Sequence, residues 1–393
     1  VEVCVRFRIC RGILLMKKIT LAGAVIVCSI ALCACGKNAK KLNNTGIEYY
    51  NAEQYDKAVK AFEEAVDKDK DGKAEYNVNL GKAYVELGNY DEAKKAFMAA
   101  YTDDKSSKEA QWGIGVCSYF LRDYATSMEY FGKVVENISV YDEIDLDSLQ
   151  YYASLQTYYG DSAGAIDSYT VLIRKNYNAG QQYFLRGGIY AGQGMENEAV
   201  LDYEEALKEY SDDYEMYYNI YYSLHKAGFE NRAISYLRRA LEVDGADNFV
   251  KGKTYYIIGD YENAMKFLSK AIDDGMQEAE FYLAMTYEKL GNGEEAVSMY
   301  EAYIKSYPSD AGAYNQYGVY CMNKGDYNSA LGYFAAGLAL GDTDAKKELM
   351  FNQACCYEYM YQFKTAYEKF GEYLELYPDD EAARHEYEFL STR

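Results

Sequence analysis

The chain of 393 residues carries 41 basic and 62 acidic side chains, a net charge of −21. So acidic a surface repels phosphate backbones, which excludes nucleic acid as a partner and favours cationic or neutral ones. With 47 tyrosines against one tryptophan and two prolines, the chain is rich in amphipathic aromatics and poor in helix breakers.

In chain order, Met16-Lys17-Lys18 is a short basic start, and Ile19 to Leu32 is a mostly apolar run. That length suits the core of a secretory signal and is short for a membrane span, which needs about 20 residues. The chain opens on Val1, and Met16 is the expected start of translation. At the end of the run, Leu32-Cys33-Ala34-Cys35 resembles a bacterial lipobox, with Cys33 departing from the usual residue at its position. The resemblance implies a signal over residues 1–34, acylation of Cys35 after cleavage, and a short tether over 35–38. Each buried CH2 contributes about 0.8 kcal/mol, so several acyl chains hold a protein stably on a bilayer. A lipid-anchored protein on the extracytoplasmic face of a cell membrane or envelope is the expectation. Cleavage removes five basic groups and one acid, leaving −25. The mature chain keeps Cys35, Cys117, Cys321, Cys355 and Cys356, too uneven for a disulfide framework.

The body then repeats itself. "NTGIEYYNAEQYDKAVKAFEEAV" (44–66) aligns with "NLGKAYVELGNYDEAKKAFMAAY" (79–101): a small residue, an aromatic three later, an alanine twelve later and an aromatic sixteen later. These residues resemble the tetratricopeptide repeat, two antiparallel helices in about 34 residues. Ten repeats begin near residues 39, 74, 108, 146, 180, 214, 245, 277, 311 and 347 and fill 39–378; residues 379–393 read as a polar capping helix. The resemblance implies an all-α, right-handed superhelix, a solenoid of helix-turn-helix units. Small residues such as Gly81 and Ala93 let paired helices close to about 8 Å. Gly88, Gly160, Gly194, Gly228, Gly259, Gly291 and Gly325 stand where first helices end, as a left-handed cap prefers. Two spacings are irregular, 38 residues between the third and fourth starts and 31 between the sixth and seventh. Neither coincides with a Pro/Ser-rich stretch, so both read as kinks in one solenoid.

Catalytic signals are weak. "DKDKDG" supplies Asp67, Asp69, Asp71 and Gly72 of a calcium loop, but Val78 stands where the bidentate glutamate belongs, so a turn is the better reading. His225 and His385 are far apart, and adjacent Cys355 and Cys356 diverge by about 100° on a helix. No catalytic residue, metal or cofactor is expected, and the chain reads as a binding protein rather than an enzyme.

In this repeat frame the fifth residue of each repeat is expected on the concave wall formed by the first helices. It is Trp112, Phe184, Tyr218, Phe249, Phe281 or Phe351 in six repeats. The second residue is acidic in six: Glu75, Glu109, Asp147, Glu215, Glu278 and Glu348. The sixth is asparagine in four, Asn44, Asn79, Asn219 and Asn352, able to grip an extended backbone by donor and acceptor. Phe184, Tyr218 and Phe249 are expected to run as one path, partly exposed; the competing reading is that these rings only pack helices. An aromatic groove edged by carboxylates suits an extended protein or peptide with apolar and basic side chains. The family's clamp for acidic C-terminal tails needs a cationic wall, whereas here only Lys82 and Lys253 are scattered along it. A protein-protein scaffold is the favoured function; a glycan- or solute-binding lipoprotein that stacks sugars on the aromatic wall is the alternative.

Overall fold

A computed structural model describes residues 34–69, 74–243 and 245–393. The leader expectation lies outside the described residues, as do Asp71 and Gly72 of the calcium-like loop and the side chain of Cys35. Every long element among the described residues is an α-helix, and none is long and apolar enough to cross a membrane. The chain divides after Tyr210 into two compact units. The division falls in the connection around residues 207–213, at neither of the irregular spacings.

The first unit contains α1 (Ala34–Asn51), α2 (Tyr55–Lys68), α3 (Ala74–Glu86), α4 (Tyr90–Asp103), α5 (Lys108–Phe120), α6 (Tyr124–Glu136), α7 (Glu143–Tyr158), α8 (Ser162–Arg174), α9 (Ala179–Gly192) and α10 (Glu196–Ala206). The second contains α11 (Tyr214–Lys226), α12 (Glu230–Ala240), α13 (Asn248–Ile257), α14 (Tyr261–Asp273), α15 (Ala279–Leu290), α16 (Gly293–Ser306), α17 (Ala311–Asn323), α18 (Tyr327–Leu338), α19 (Lys346–Tyr359), α20 (Phe363–Leu376) and α21 (Glu381–Leu390). Within each unit every helix packs on the next. First helices also touch one another, α1 with α3, α3 with α5 and α5 with α7 in the first unit, and α13 with α15 and α17 with α19 in the second.

The packing follows the small-residue pattern. A Cβ added at Gly81 would stand 2.8 Å from the Phe97 ring, and one at Gly113 would stand 2.4 Å from it. Phe97 is thus wedged between the glycine of its own repeat and a glycine of the next. Phe62, Phe131, Tyr169, Tyr203, Tyr300, Phe334 and Phe370 hold the same place in their repeats and are likewise buried. Where Ser127 replaces the usual second-helix alanine, its hydroxyl donates to the Gly115 carbonyl at 2.9 Å, so the crossing stays closed and the polar atom is satisfied.

Helix ends also follow the sequence. The seven predicted glycines all have positive φ, from 73° at Gly88 to 85° at Gly228. Glu53, Arg122 and Tyr361 take the same backbone at 59°, 61° and 59° in the three repeats without a glycine there. A side chain in that region costs about 1 to 2 kcal/mol, so the turn geometry overrides the residue. Asp123, Asp161, Asp260, Asp310, Asp326 and Asp380 cap helices by accepting backbone N–H bonds. At the two proline turns the cap is tied down again: the Tyr303 hydroxyl donates to Asp310 at 2.8 Å and the Tyr373 hydroxyl to Asp380 at 2.7 Å. The long third-to-fourth spacing becomes the α6–α7 connection, fastened by Lys108, which pairs with Asp142 and, at 3.1 Å, with Asp145.

Candidate functional site

The first helices place the fifth-position residues deeper than the sequence suggested. Trp112 is 3% exposed, and Phe184 and Tyr218 are 8% exposed. The Trp112 Nε1 donates to Asp147 Oδ2 at 2.6 Å, and its ring meets Phe97 edge-on. Phe184 packs on Tyr203 with centroids 5.8 Å apart. The Tyr218 hydroxyl donates to the Val250 carbonyl at 3.3 Å and shares a hydrogen bond with Thr254. For these three residues the expectation of a partly exposed ring is corrected. Phe249, Phe281 and Phe351 are half-buried. Their rings contact Tyr282 at 5.6 Å, Tyr303 at 5.2 Å and Phe370 at 5.6 Å respectively.

The physical reason appears in repeats whose fifth residue is polar. Asn43 accepts from Asn79 Nδ2 at 3.0 Å, Gln150 from Gln182 Nε2 at 2.8 Å, and Asn315 from Asn352 Nδ2 at 2.9 Å. Trp112 and Tyr218 make the same kind of reach, to Asp147 and Thr254. In these five repeats the fifth residue is therefore a hook onto the first helix of the next repeat, whereas Phe184, Phe281 and Phe351 pack on the second helix of their own. Sequence periodicity shows that it faces inward, but not how much of it the neighbouring helix covers.

The sixth-position asparagines divide accordingly. Asn79 is buried and its amide donates to Asn43, which in turn donates to Glu75 at 3.4 Å, so burial keeps it from gripping an extended backbone. Asn352 is committed to Asn315. Asn219 keeps a buried Nδ2 with no partner, and Asn44 is exposed.

The second-position acids are the accessible part. Glu75, Glu215, Glu278 and Glu348 are exposed and Glu109 is half-buried. Asp147 is the exception in environment: burial pushes its carboxyl up to about 6 against the hydrogen bonds from Trp112 and Tyr177, and the charge of Glu143 pushes the same way. The two wall lysines differ too. Burial pulls the Lys82 ammonium below its usual range while Glu109 opposes the shift. Lys253 lies over the rings of Tyr218 and Tyr282, at 5.6 and 5.4 Å. Cys117, Cys321, Cys355 and Cys356 are free thiols, buried but for the half-buried Cys355, and burial pushes them up to about 12, 11, 12 and 11, which keeps them unreactive.

What sequence reasoning missed is the Trp112–Asp147 bond. Its only signal was spacing: a donor at position five of one repeat and an acid at position two of the next.

Models of the tetratricopeptide repeat family match residues 49–120, 248–273, 283–345 and 348–380. A TPR repeat-containing protein of Methanocaldococcus jannaschii is 24% identical over 206 residues, 48% of this chain and 35% of that protein. The match therefore spans about a third of that relative's length. Among solved structures, YrrB, described as a TPR protein with an unusual peptide-binding site, aligns with a TM-score of 0.41 and 17% identity over 47% of this chain and 93% of its own. Yeast Tom70 aligns with a TM-score of 0.35 and 13% identity over 91% and 95%.

Proposed function

We propose that this chain, a tetratricopeptide-repeat protein, is an interaction scaffold that holds an extended, basic polypeptide against the acidic residues of its first helices. One observation carries the reading: second-position acids such as Glu215, Glu278 and Glu348 are exposed, while the fifth-position rings of Trp112, Phe184 and Tyr218 are turned into the packing. Recognition then rests on charge, with the half-buried rings of Phe249, Phe281 and Phe351 adding apolar contact at its base. The same burial weighs against sugar stacking, which needs open ring faces. Cys35 is proposed as a lipid tether that keeps the scaffold on the extracytoplasmic face of a membrane.

Replacing Glu215, Glu278 and Glu348 together with glutamine is expected to weaken binding of a lysine-rich test peptide and to flatten its salt dependence. Calorimetric titration at low and high salt measures both. A triple variant that binds as tightly as the parent, with the same salt slope, would move recognition off this row. For the tether, Cys35→Ser is expected to abolish incorporation of labelled fatty acid and release the body from membranes. Labelled fatty acid still carried by the serine variant would refute it.

A further inference from the structure

On the reading of a basic polypeptide partner, we propose that Asp147 and Tyr151 of α7, with Tyr177 from the connection after α8, form a subsite for a primary ammonium group, the side chain of a lysine in the bound chain.

The Asp147 carboxylate is held in position before any ligand arrives. Trp112 donates to Oδ2 at 2.6 Å and the Tyr177 hydroxyl points at Oδ1 from 3.4 Å. A carboxylate offers about four lone-pair sites, so these two donors leave acceptor capacity on both oxygens. Asp147 as a residue is half-buried.

Tyr151 gives the second, independent observation. It stands four residues after Asp147, on the same face of α7. It is 2% exposed, and its hydroxyl has no hydrogen-bond partner. The charge of Asp147 acts on that hydroxyl, as do the neighbouring hydroxyls of Tyr119, Tyr90 and Tyr177. The ring cannot swing out to water: Phe131 stacks on it at 4.9 Å and Tyr119 meets it edge-on at 5.0 Å. A buried hydroxyl without a partner is destabilising, and a donor arriving beside Asp147 would relieve it.

Charge specifies the donor. The charge that raises Asp147 is a second carboxylate, Glu143, one turn earlier and exposed. The nearby lysines are committed elsewhere, Lys108 to Asp142 and Asp145, Lys175 over the Tyr141 ring. In the second unit the ammonium of Lys253 sits over two tyrosine rings, so this chain already places an ammonium against aromatic surface. An ammonium has three donors on one small head and can serve a carboxylate and a hydroxyl at once, whereas a guanidinium needs its acceptors in one plane.

The protein carries its own reporter, because Trp112 is its single tryptophan and is bonded to Asp147. The full chain is titrated at pH 7.5 with N-acetyl-lysine methylamide, and with the uncharged N-acetyl-norleucine methylamide as control, while Trp112 fluorescence is followed. A saturable change with the lysine derivative alone is expected. Affinity is expected to fall about tenfold at pH 5, where only about a tenth of the carboxyl is ionised. Asp147→Asn should abolish the response, and Tyr151→Phe, which removes one oxygen and keeps the ring packing, should weaken it. Absence of a saturable change, equal responses to the two compounds, or a full response in Asp147→Asn would each overturn the subsite. A lysine-rich peptide bound equally by parent and Asp147→Asn, yet weakened in the glutamine triple variant, would remove the subsite and leave the scaffold reading standing.

Discussion

Phe97→Ala is expected to destabilise the first unit by about 3 to 5 kcal/mol, the range for emptying a fully buried aromatic site. The site has little means of collapsing. Phe97 is 0% exposed and wedged between Gly81 and Gly113, neither of which has a side chain to move into the space. Its ring also supports Trp112, so the loss extends to the Trp112–Asp147 bond. In a repeat array, stability is nearly a sum of neighbour terms, so the damage should concentrate on repeats two to four. Urea unfolding followed by circular dichroism, with native-state hydrogen exchange to locate the loss, measures it. A loss under about 1 kcal/mol would mean that this repeat interface is not where the cohesion lies.

Asp147→Asn is expected to stabilise the ligand-free protein at neutral pH, and the gain should vanish in acid. The carboxyl is raised from 3.8 to about 6, so the folded state holds the proton more tightly than the unfolded state. The contribution of Asp147 is therefore most favourable below about 3.8 and is lost as pH climbs to about 6. A shift of about two pH units corresponds to at most about 3 kcal/mol. Asparagine removes the buried charge yet can still accept from Trp112; the weaker neutral bond reduces the net gain to about 1 to 2 kcal/mol. Chemical unfolding of parent and variant at pH 7.5 and pH 4 tests the sign. A variant less stable than the parent at pH 7.5 would show that the ionised carboxylate is compensated.

The repeat frame was legible because small-residue spacing reports a steric need. Gly81, Ala93 and Phe97 could be assigned from the sequence, and the structure buries each of them. Glycine caps were legible for the same reason, whereas Glu53, Arg122 and Tyr361 were not, since their left-handed backbone is imposed by the turn and leaves no mark in residue type. The candidate site was harder. Side-chain direction follows from periodicity, but burial depends on the next first helix, about 35 residues further on. The sequence thus marked the wall row containing Trp112 and Tyr218 and missed their role as hooks. The break after Tyr210 had no signal either, because "KEYSDD" contains neither proline nor glycine.

The hooks are of three chemical kinds, and this bears on how the chain avoids assembling wrongly. Near-identical modules joined by short turns risk pairing with the wrong neighbour, since shape alone hardly distinguishes one from another. Here amide meets amide at Asn43–Asn79 and Gln150–Gln182, indole meets carboxylate at Trp112–Asp147, and phenol meets hydroxyl at Tyr218–Thr254. A mispaired neighbour would strand a polar group in the interface at about 1 to 3 kcal/mol for each orphan. The order of the modules is thus partly written into their contacts as well as into the chain that links them, and a module offered the wrong kind of hook would fit in outline yet fail to close.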